Sequence, residues 1–328
     1  MPKTARIIIT DYELDSVDIE QSVADRHGID LVRAHCTNED EVIEAAADAD
    51  GIVVQYAPIT ERVIKALPHL KAIGRYGAGV DNIDLAAATA QGVAVSNVPD
   101  YGIDDVSDHA IALAVALARG IVDLDRGVRS GRHNLPSVQP LHRISTQTFG
   151  VVGLGLIGAA TAAKAKALGY TVIGYDPLRA PGTTTEEGIE VVPFPQLLAA
   201  SDVVSLHVPL NEHTSHLINA RTLAQMKEGA SLINTCRGGV VDTAALIDAL
   251  KNNHLKAAGL DVFEEEPLPL TSPLLELERV ILTPHVAWYT EQSYEELKRR
   301  TIENVIDVCQ SKHPRNILNP AVLAGPST

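Results

Sequence analysis

Phe149-Gly-Val-Val-Gly153-Leu-Gly155-Leu156-Ile157-Gly158 is a short apolar run that breaks into three spaced glycines and resumes as Ala159-Ala-Thr-Ala-Ala-Lys-Ala-Lys-Ala-Leu168. Strand, glycine turn and helix follow one another without a gap. Each glycine has its own reason to lack a Cβ: a tight turn, close approach of backbone to a pyrophosphate, and close packing of helix on strand. The first turn of the helix offers unpaired N–H groups and the positive end of its dipole to phosphate oxygens. A second strand candidate, Thr171-Val-Ile-Gly-Tyr175, ends in Asp176, at about the ~20-residue spacing where a ribose-binding carboxylate is expected. Gly153, Gly155 and Gly158 therefore predict a dinucleotide cradle. Asp176 predicts NAD rather than NADP, because a carboxylate accepts the ribose hydroxyls and repels a 2′-phosphate; Arg179 nearby is the one residue that argues the other way.

Outward from this stretch, apolar runs alternate with helical patterns along the whole chain, the signature of parallel sheets built from βαβ units. Two series are legible. The first has strand candidates at 6–10, 29–33, 51–56, 70–75 and 93–97, and the second at 149–152, 172–175, 203–208, 231–235, 257–261 and 280–283. The expected fold class is α/β, with two doubly wound parallel-sheet domains. Between the series a single long helix is expected from about Asp104 to Arg129, acidic in its first turn and basic in its last, which suits its dipole. Its Ala110–Ala118 stretch is apolar nearly all round, which calls for burial on more than one side, a subunit interface included. A last helix is expected over Glu291–Ser311, with Lys298-Arg299-Arg300 as a solvated face, and Pro314–Thr328 reads as loop.

The 328 residues are 45% hydrophobic, enough for two domains with cores of their own. A formal charge of −15 argues against non-specific nucleic-acid binding and gives no basic stripe for an anionic membrane. No uninterrupted apolar run approaches the ~20 residues that span a bilayer, and the N-terminus carries no long apolar segment, so the expected location is cytoplasmic. Cys36, Cys236 and Cys309 have neither CxxC nor Cys/His spacing, which predicts reduced thiols, no disulfide framework and no metal site. Cys236 stands beside a cation, but no base motif accompanies it.

Three residues after the fingerprint suit hydride transfer to a 2-oxo acid, which needs a cation for the carboxylate, polarisation of the carbonyl and a proton donor for the nascent alkoxide. Arg237 ends Leu232-Ile-Asn-Thr-Cys-Arg237-Gly-Gly, at the carboxyl edge of a strand candidate, where open α/β sheets bind ligands. His285 ends the last strand candidate in Ile281-Leu-Thr-Pro-His285, behind a proline that restricts the backbone. A carboxylate on the imidazole would favour its protonated form and fix its orientation. Chemical type alone leaves that acid open among Glu264, Glu265 and Glu266.

These segments, together with Gly74-Arg-Tyr-Gly-Ala-Gly-Val-Asp-Asn-Ile-Asp84, resemble the D-isomer-specific 2-hydroxyacid dehydrogenases over nearly the whole chain. Leu210-Asn-Glu-His-Thr-Ser-His-Leu-Ile218 and Pro284-His-Val-Ala-Trp-Tyr289 are most similar to the C-terminal binding protein branch and its bacterial relatives. In the family pattern the acid directly before proline partners the catalytic histidine, which selects Glu266. The resemblance implies a Rossmann NAD domain, residues 101–290, inserted into a flavodoxin-like substrate domain of residues 1–100 plus 291–328, with the catalytic cleft between them.

It also implies roles residue by residue. Leu156 and Ile157 of the glycine loop, then His207, Val208, Pro209, Thr214, Thr235, Cys236, Arg237, Asp261, His285 and Ala287, would wrap the NAD, with Asp261 at the nicotinamide carboxamide. Gly77, Ala78 and Gly79 would bind the substrate carboxylate, while Tyr56 and Trp288, with Arg237 and His285, would face the substrate. The implied activity is reversible reduction of a 2-oxo acid to a D-2-hydroxy acid by a homodimer formed through the NAD domain. Tyr56 stands where the eukaryotic co-repressors of the branch carry histidine, and the chain lacks their long extensions, which argues against recruitment of partner peptides. Two other readings fit the same residues: an NAD(H)-sensing regulatory protein, and a dehydrogenase of a non-standard acid such as phosphite. Formate fits less well, since no alkoxide forms and a His–Glu pair has nothing to protonate.

Overall fold

Isoleucine and valine at consecutive positions suit strands covered on both faces, and in a computed structural model of the chain those runs become the middle of two parallel sheets. The structure describes residues 4–12, 16–132 and 135–324. In chain order the first elements are β1 (Arg6–Ile9), α1 (Asp18–His27), β2 (Asp30–Arg33), α2 (Glu39–Ala45), β3 (Gly51–Val54), α3 (Glu61–Ala66), β4 (Ala72–Arg75), α4 (Leu85–Ala90) and β5 (Ala94–Ser96). There follow α5 (Ile103–Arg119), α6 (Ile121–Arg129), β6 (Thr148–Val152), α7 (Leu156–Ala167), β7 (Thr171–Tyr175), β8 (Glu190–Val191), α8 (Phe194–Ala200) and β9 (Val203–Leu206). The remainder are α9 (Ala220–Leu223), β10 (Ala230–Asn234), α10 (Thr243–Lys251), β11 (Leu255–Leu260), β12 (Val280–Leu282) and α11 (Glu291–Cys309).

The chain divides into two compact units, Met1–Tyr101 with Thr290–Thr328, and Gly102–Tyr289. The first holds a five-stranded sheet in the order β2-β1-β3-β4-β5, the flavodoxin-like order, whose strand direction of travel reverses between β1 and β3. Ile7, Ile8 and Ile9 of the interior strand β1 are fully buried, each worth about 1.5–3 kcal/mol of transfer free energy. The second holds seven parallel strands in the order β12-β11-β10-β9-β6-β7-β8, the doubly wound order with one strand added, and its reversal falls between β6 and β9. Both sheets are wholly parallel, as the alternating pattern requires.

Three local expectations are corrected. The single helix over 104–129 is two, because Gly120 takes a left-handed conformation (φ +60°) that ends α5 and starts α6. A side chain there would also meet Val138, whose Cγ1 lies 2.8 Å from the site of a Cβ. Apolar pattern continues through the break, which hides it. The two-residue strand β8 is too short to show a period of its own.

The Lys298-Arg299-Arg300 run is not a solvated face. Lys298 and Arg300 are each 3% exposed. Lys298 Nζ lies 3.1 Å from Glu20 Oε1 and donates to the Ser16 carbonyl at 2.5 Å, with the rings of Tyr294, Tyr12 and Tyr76 around it at 4.9, 5.8 and 6.0 Å. Glu20, itself without exposed surface, also accepts the Tyr76 hydroxyl. Arg300 pairs with Asp100 at 2.5 Å and Glu296 at 2.8 Å. A helix of mixed composition can turn long cations inward when carboxylates wait there, and two of these, Glu20 and Asp100, lie far away in sequence. The C-terminal tail does more than loop: Leu318 N donates to Val95 O at 2.8 Å and Asn319 Oδ1 accepts from Val95 N at 2.8 Å, covering the β5 edge. The tail's last four residues, 325–328, lie outside the described residues.

Removing Lys298 would strand the Glu20 charge, whose Oε2 already lacks a partner. Lys298→Met is expected to cost about 3–5 kcal/mol, and Lys298→Met with Glu20→Gln to recover part of it. Urea unfolding of the two variants checks this; equal midpoints for the single variant and the wild type would refute it.

Candidate active site

Within the second unit every cofactor-side residue singled out above follows the carboxyl end of a strand, save those on helix α7 and in the loop ending at Thr214. The glycine loop after β6 is packed hard on one side and open on the other. A Cβ on Gly158 would sit 1.9 Å from Gly153 O, and one on Gly153 would sit 2.4 Å from His207 O, so the loop is locked against β9 at the sheet's reversal point. Gly155, the N-cap of α7, has nothing within 4 Å of its Cβ position. Open space over a helix N-terminus is the cradle a pyrophosphate needs. The buried hydroxyl of Thr235, at the end of β10, has no hydrogen-bond partner, an orphan that a cofactor polar group would satisfy. The residues present thus fit NAD.

Asp176 accepts Leu154 N through Oδ2 and Leu178 N through Oδ1, both at 2.9 Å, which fixes its carboxylate beside the glycine loop with lone pairs left for ribose hydroxyls. Arg179 reaches the Leu154 carbonyl at 3.5 Å. Leu156 is 58% exposed at the start of α7, and Ile157 is half-buried behind it. Val208 is buried and Pro209 exposed; Thr214 turns their loop back by donating to Pro209 O at 2.5 Å. His207 is partly exposed as a residue, but burial of its imidazole pushes the pKa down to about 4, and Nε2 bonds Ser205 Oγ at 2.8 Å. That ring is neutral at neutral pH.

Arg237, Glu266 and His285 come together. His285 Nδ1 lies 2.7 Å from Glu266 Oε2, and Glu266 Oε1 accepts Phe263 N at 2.9 Å. Burial would raise the Glu266 carboxyl, but the His285 bond and charge, the Phe263 amide and the Arg237 guanidinium outweigh it, leaving its pKa below the usual value. Arg237 is half-buried, with Nη1 donating to Cys236 O at 2.7 Å. The Gly238 that follows it is required: a Cβ would lie 1.9 Å from Phe263 C and O, so only glycine lets the Arg237 turn approach the loop that carries Glu266. Cys236 is held against its protonated form's loss by burial above all, despite the neighbouring guanidinium, and its Sγ donates to Asn234 Oδ1 at 3.1 Å. A thiol kept protonated is no nucleophile.

The run of three acids is divided by geometry. Glu264 bonds His216 Nε2 at 2.6 Å and accepts Thr243 N, the first residue of α10, at 2.8 Å. Glu266 takes His285, and Glu265 is exposed.

Asp261, expected at the nicotinamide carboxamide, braces the loop that carries His285. It has no exposed surface. Its Oδ1 accepts Thr283 Oγ1 at 2.6 Å and Val286 N at 3.0 Å, and its Oδ2 accepts Ala287 N at 2.9 Å. It is the bracket of the His285 loop. Ala287, 4% exposed, serves that loop through its amide. Trp288 is half-buried, and its indole Nε1 donates to His285 O at 2.9 Å.

In the first unit Tyr56 follows β3 at the reversal point and is 48% exposed. Its amide donates to Asp11, whose carboxylate also accepts Gln55 N at 3.1 Å and Ala57 N at 3.2 Å. The loop after β4 is held from below. Gly77 has φ +126° and Arg75 Nη1 lies 1.9 Å from its Cβ position, Gly77 O accepts Val98 N at 2.9 Å, and Ala78 O accepts Asn97 Nδ2 at 2.6 Å. Gly79 completes that loop with partial exposure. Asp11 and Arg75 escaped the sequence reading. An acid at the end of the first strand and a cation at the end of the fourth were the available signals. Among the described residues no group of three or more His, Cys, Asp or Glu side chains is placed to hold a metal ion.

Residues 111–287 match the family described as D-isomer specific 2-hydroxyacid dehydrogenase, NAD binding domain. The chain is 41% identical over 286 residues to a glyoxylate reductase of Korarchaeum cryptofilum, covering 86% of each. It is 41% identical over 292 residues to a glyoxylate reductase of Thermococcus litoralis, covering 86% of this chain and 87% of that one. The structure is similar, at a TM-score of 0.86 and 29% identity, to a D-lactate dehydrogenase from Aquifex aeolicus complexed with NAD and lactic acid, covering 98% of this chain and all (100%) of that one.

His207 gives a pH prediction with a definite sign. Its folded pKa of about 4 lies below the ordinary 6.5. Above pH 6.5 the ring is neutral folded or unfolded; as pH falls from there to about 4 only the unfolded chain gains the proton, so stability declines across that window and the effect levels off below it. His207→Gln is expected to flatten this part of the profile in urea unfolding between pH 7 and 4. An unchanged slope would count against it.

Proposed function

This chain belongs to the D-isomer-specific 2-hydroxyacid dehydrogenase family and is an NAD-dependent oxidoreductase, and from that premise we propose that it interconverts a small 2-oxo acid and its D-2-hydroxy acid with His285 as acid and base. The observation that carries this reading is the 2.7 Å bond between His285 Nδ1 and Glu266, with the Arg237 charge acting on the same carboxylate. Bound NADH supplies the hydride, and NAD accepts it in reverse.

Glu266 stays ionised and accepts the Nδ1–H, so Nε2 is the nitrogen that gives a proton to the carbonyl oxygen as it becomes an alkoxide and takes it back in the other direction. Arg237, a fixed fork of donors, grips the substrate carboxylate and polarises the carbonyl beside it. We assign the Gly77–Gly79 backbone to the same carboxylate, and Tyr56 and the ring of Trp288 to the substituent of the acid. Residues 102–289 hold the cofactor in this assignment.

A screen of NADH oxidation with glyoxylate, hydroxypyruvate and aliphatic, thioether and aromatic 2-oxo acids tests the reading, with glyoxylate first because the two relatives above carry its name. His285→Ala is expected to lower kcat by about 10²–10⁴-fold with little change in NADH affinity. Tight NADH binding without turnover of any acid would favour a sensor instead, and preferential use of NADPH would overturn the role given to Asp176.

We further infer a homodimer formed through the NAD-binding unit. Ile121, Val128 and Leu135, 52%, 55% and 59% exposed within one short stretch of that unit, support this reading as apolar side chains that a partner would cover. Ile121→Asp with Val128→Asp is expected to convert the dimer to monomer in analytical ultracentrifugation. A wild type that sediments as a monomer would remove the inference. We place the enzyme in the cytoplasm, where its three free cysteines stay reduced; no described helix is long and apolar enough to cross a membrane.

A further inference from the structure

His109 is a half-buried residue in the middle of α5, a helix whose other inward residues are small or apolar. Its Nε2 lies 3.0 Å from Thr283 Oγ1 and 3.7 Å from Asp261 Oδ1. The proton directions in this group follow from elimination. Asp261 already accepts two backbone amides, and a carboxylate can only accept, so the 2.6 Å contact with Thr283 must be a bond donated by the Thr283 hydroxyl. A hydroxyl has one proton. Thr283 Oγ1 is therefore the acceptor toward His109, and His109 carries its proton on Nε2.

The chain of donors runs from His109 to Thr283 to Asp261, and Asp261 grips the catalytic loop at several points. Its carboxylate holds Val286 N and Ala287 N, and its main-chain oxygen holds His285 N at 2.7 Å. The grip matters because His285 stands at φ +54°, a left-handed conformation that few residues with a side chain adopt unless their surroundings impose it. Without the His109 N–H the Thr283 hydroxyl is free to turn, and the buried carboxylate then loses one of its three donors.

We propose that His109 is a positioning residue for the catalytic histidine, acting through Thr283 and Asp261 to hold the His285 loop; this rests on the assignment of His285 as acid and base. His109 touches neither the reacting atoms nor, through this chain of bonds, the cofactor. Its loss should appear in the chemical step and leave binding alone.

The test compares the full-length wild type with His109→Leu, which removes the donor, and His109→Gln, whose amide can donate from nearly the same place. With NADH and the 2-oxo acid that the wild type reduces fastest, His109→Leu is expected to lower kcat by about 10–100-fold, the cost of a small misplacement of a reacting group, with NADH Kd changed by less than about twofold. His109→Gln is expected to restore kcat to within about threefold of wild type, because the N–H donor is what matters. A folded His109→Leu enzyme with wild-type kcat, or a Gln variant as slow as the Leu variant, overturns the proposal. Should His109→Leu fail to fold, Thr283→Val takes its place, with the same expected kcat loss and the same overturning result.

Nuclear magnetic resonance of the ligand-free protein with labelled histidines separates this inference from the reaction itself. The expected spectrum has His109 protonated on Nε2 and a low-field Nδ1–H proton for His285 that marks its bond to Glu266, displaced in the Leu variant and retained in the Gln variant. His109 found protonated only on Nδ1, or an undisturbed His285 proton in the Leu variant, overturns the positioning role. A wild type inert toward every 2-oxo acid, but with these resonances as expected, would overturn the reaction and leave the positioning role standing.

Discussion

At the carboxyl ends of parallel strands the ladder runs out, and the amides of the loops beyond it need acceptors that the sheet no longer supplies. This chain answers the shortage the same way three times, with an aspartate placed just after a strand. Asp11, after β1, takes the amides of Gln55, Tyr56 and Ala57. Asp176, after β7, takes those of Leu154 and Leu178. Asp261, after β11, takes those of Val286 and Ala287. In each case the acid belongs to one strand and at least one of the amides to the loop of another, so the carboxylate sets the spacing between loops. The residues assigned to substrate, cofactor and proton transfer sit on the loops so held.

The three acids differ in exposure, and the difference sorts their roles. Asp176 is half-buried and keeps lone pairs on its open side, which suits a group that must still meet a ribose. Asp261 has no exposed surface, and a buried carboxylate is costly unless fully partnered, so its donors are as much part of the site as it is. The Lys298–Glu20 pair in the other unit shows the same economy in a different form. Two charges with almost no exposed surface contribute little net stability. They do fix the Tyr76 hydroxyl, and Tyr76 leads directly into the Gly77–Gly79 loop.

What could be read from sequence follows from how far each interaction reaches. The glycine fingerprint is a local device, a turn and a close approach within ten residues, and Gly153, Gly155 and Gly158 stand as it requires. The parallel direction of the strands was open to the alternation of patterns, and both sheets are parallel as that alternation demanded. Glu266 needed the family resemblance, because nothing in a run of three acids says which one meets a histidine 19 residues on. The break at Gly120 was masked by an apolar pattern that continues across it. Lys298, Arg300, Asp11 and His109 take their meaning from partners distant in the chain, and no periodicity carries that information. Asp261 stands out in the sequence as a strand-end acid, but its bonds to the amides of Val286 and Ala287 do not.

The acid run explains one more feature that no single residue does. His216 and His285 both adopt left-handed backbone conformations, φ +48° and +54°, and each is bonded to an acid of the same short segment, Glu264 and Glu266. The two acids belong to one short stretch, which through them meets both the loop after β9 and the one after β12. Gly238, pressed against Phe263, brings the Arg237 turn to the same segment. Residues 263–266 thus stand where three strand-end loops converge, and a shift there would move the cation and the acid–base pair together. The proposed reaction asks for Arg237 and His285 to keep a fixed separation. Tying both to one short segment, rather than each to its own strand, is how the fold meets that demand.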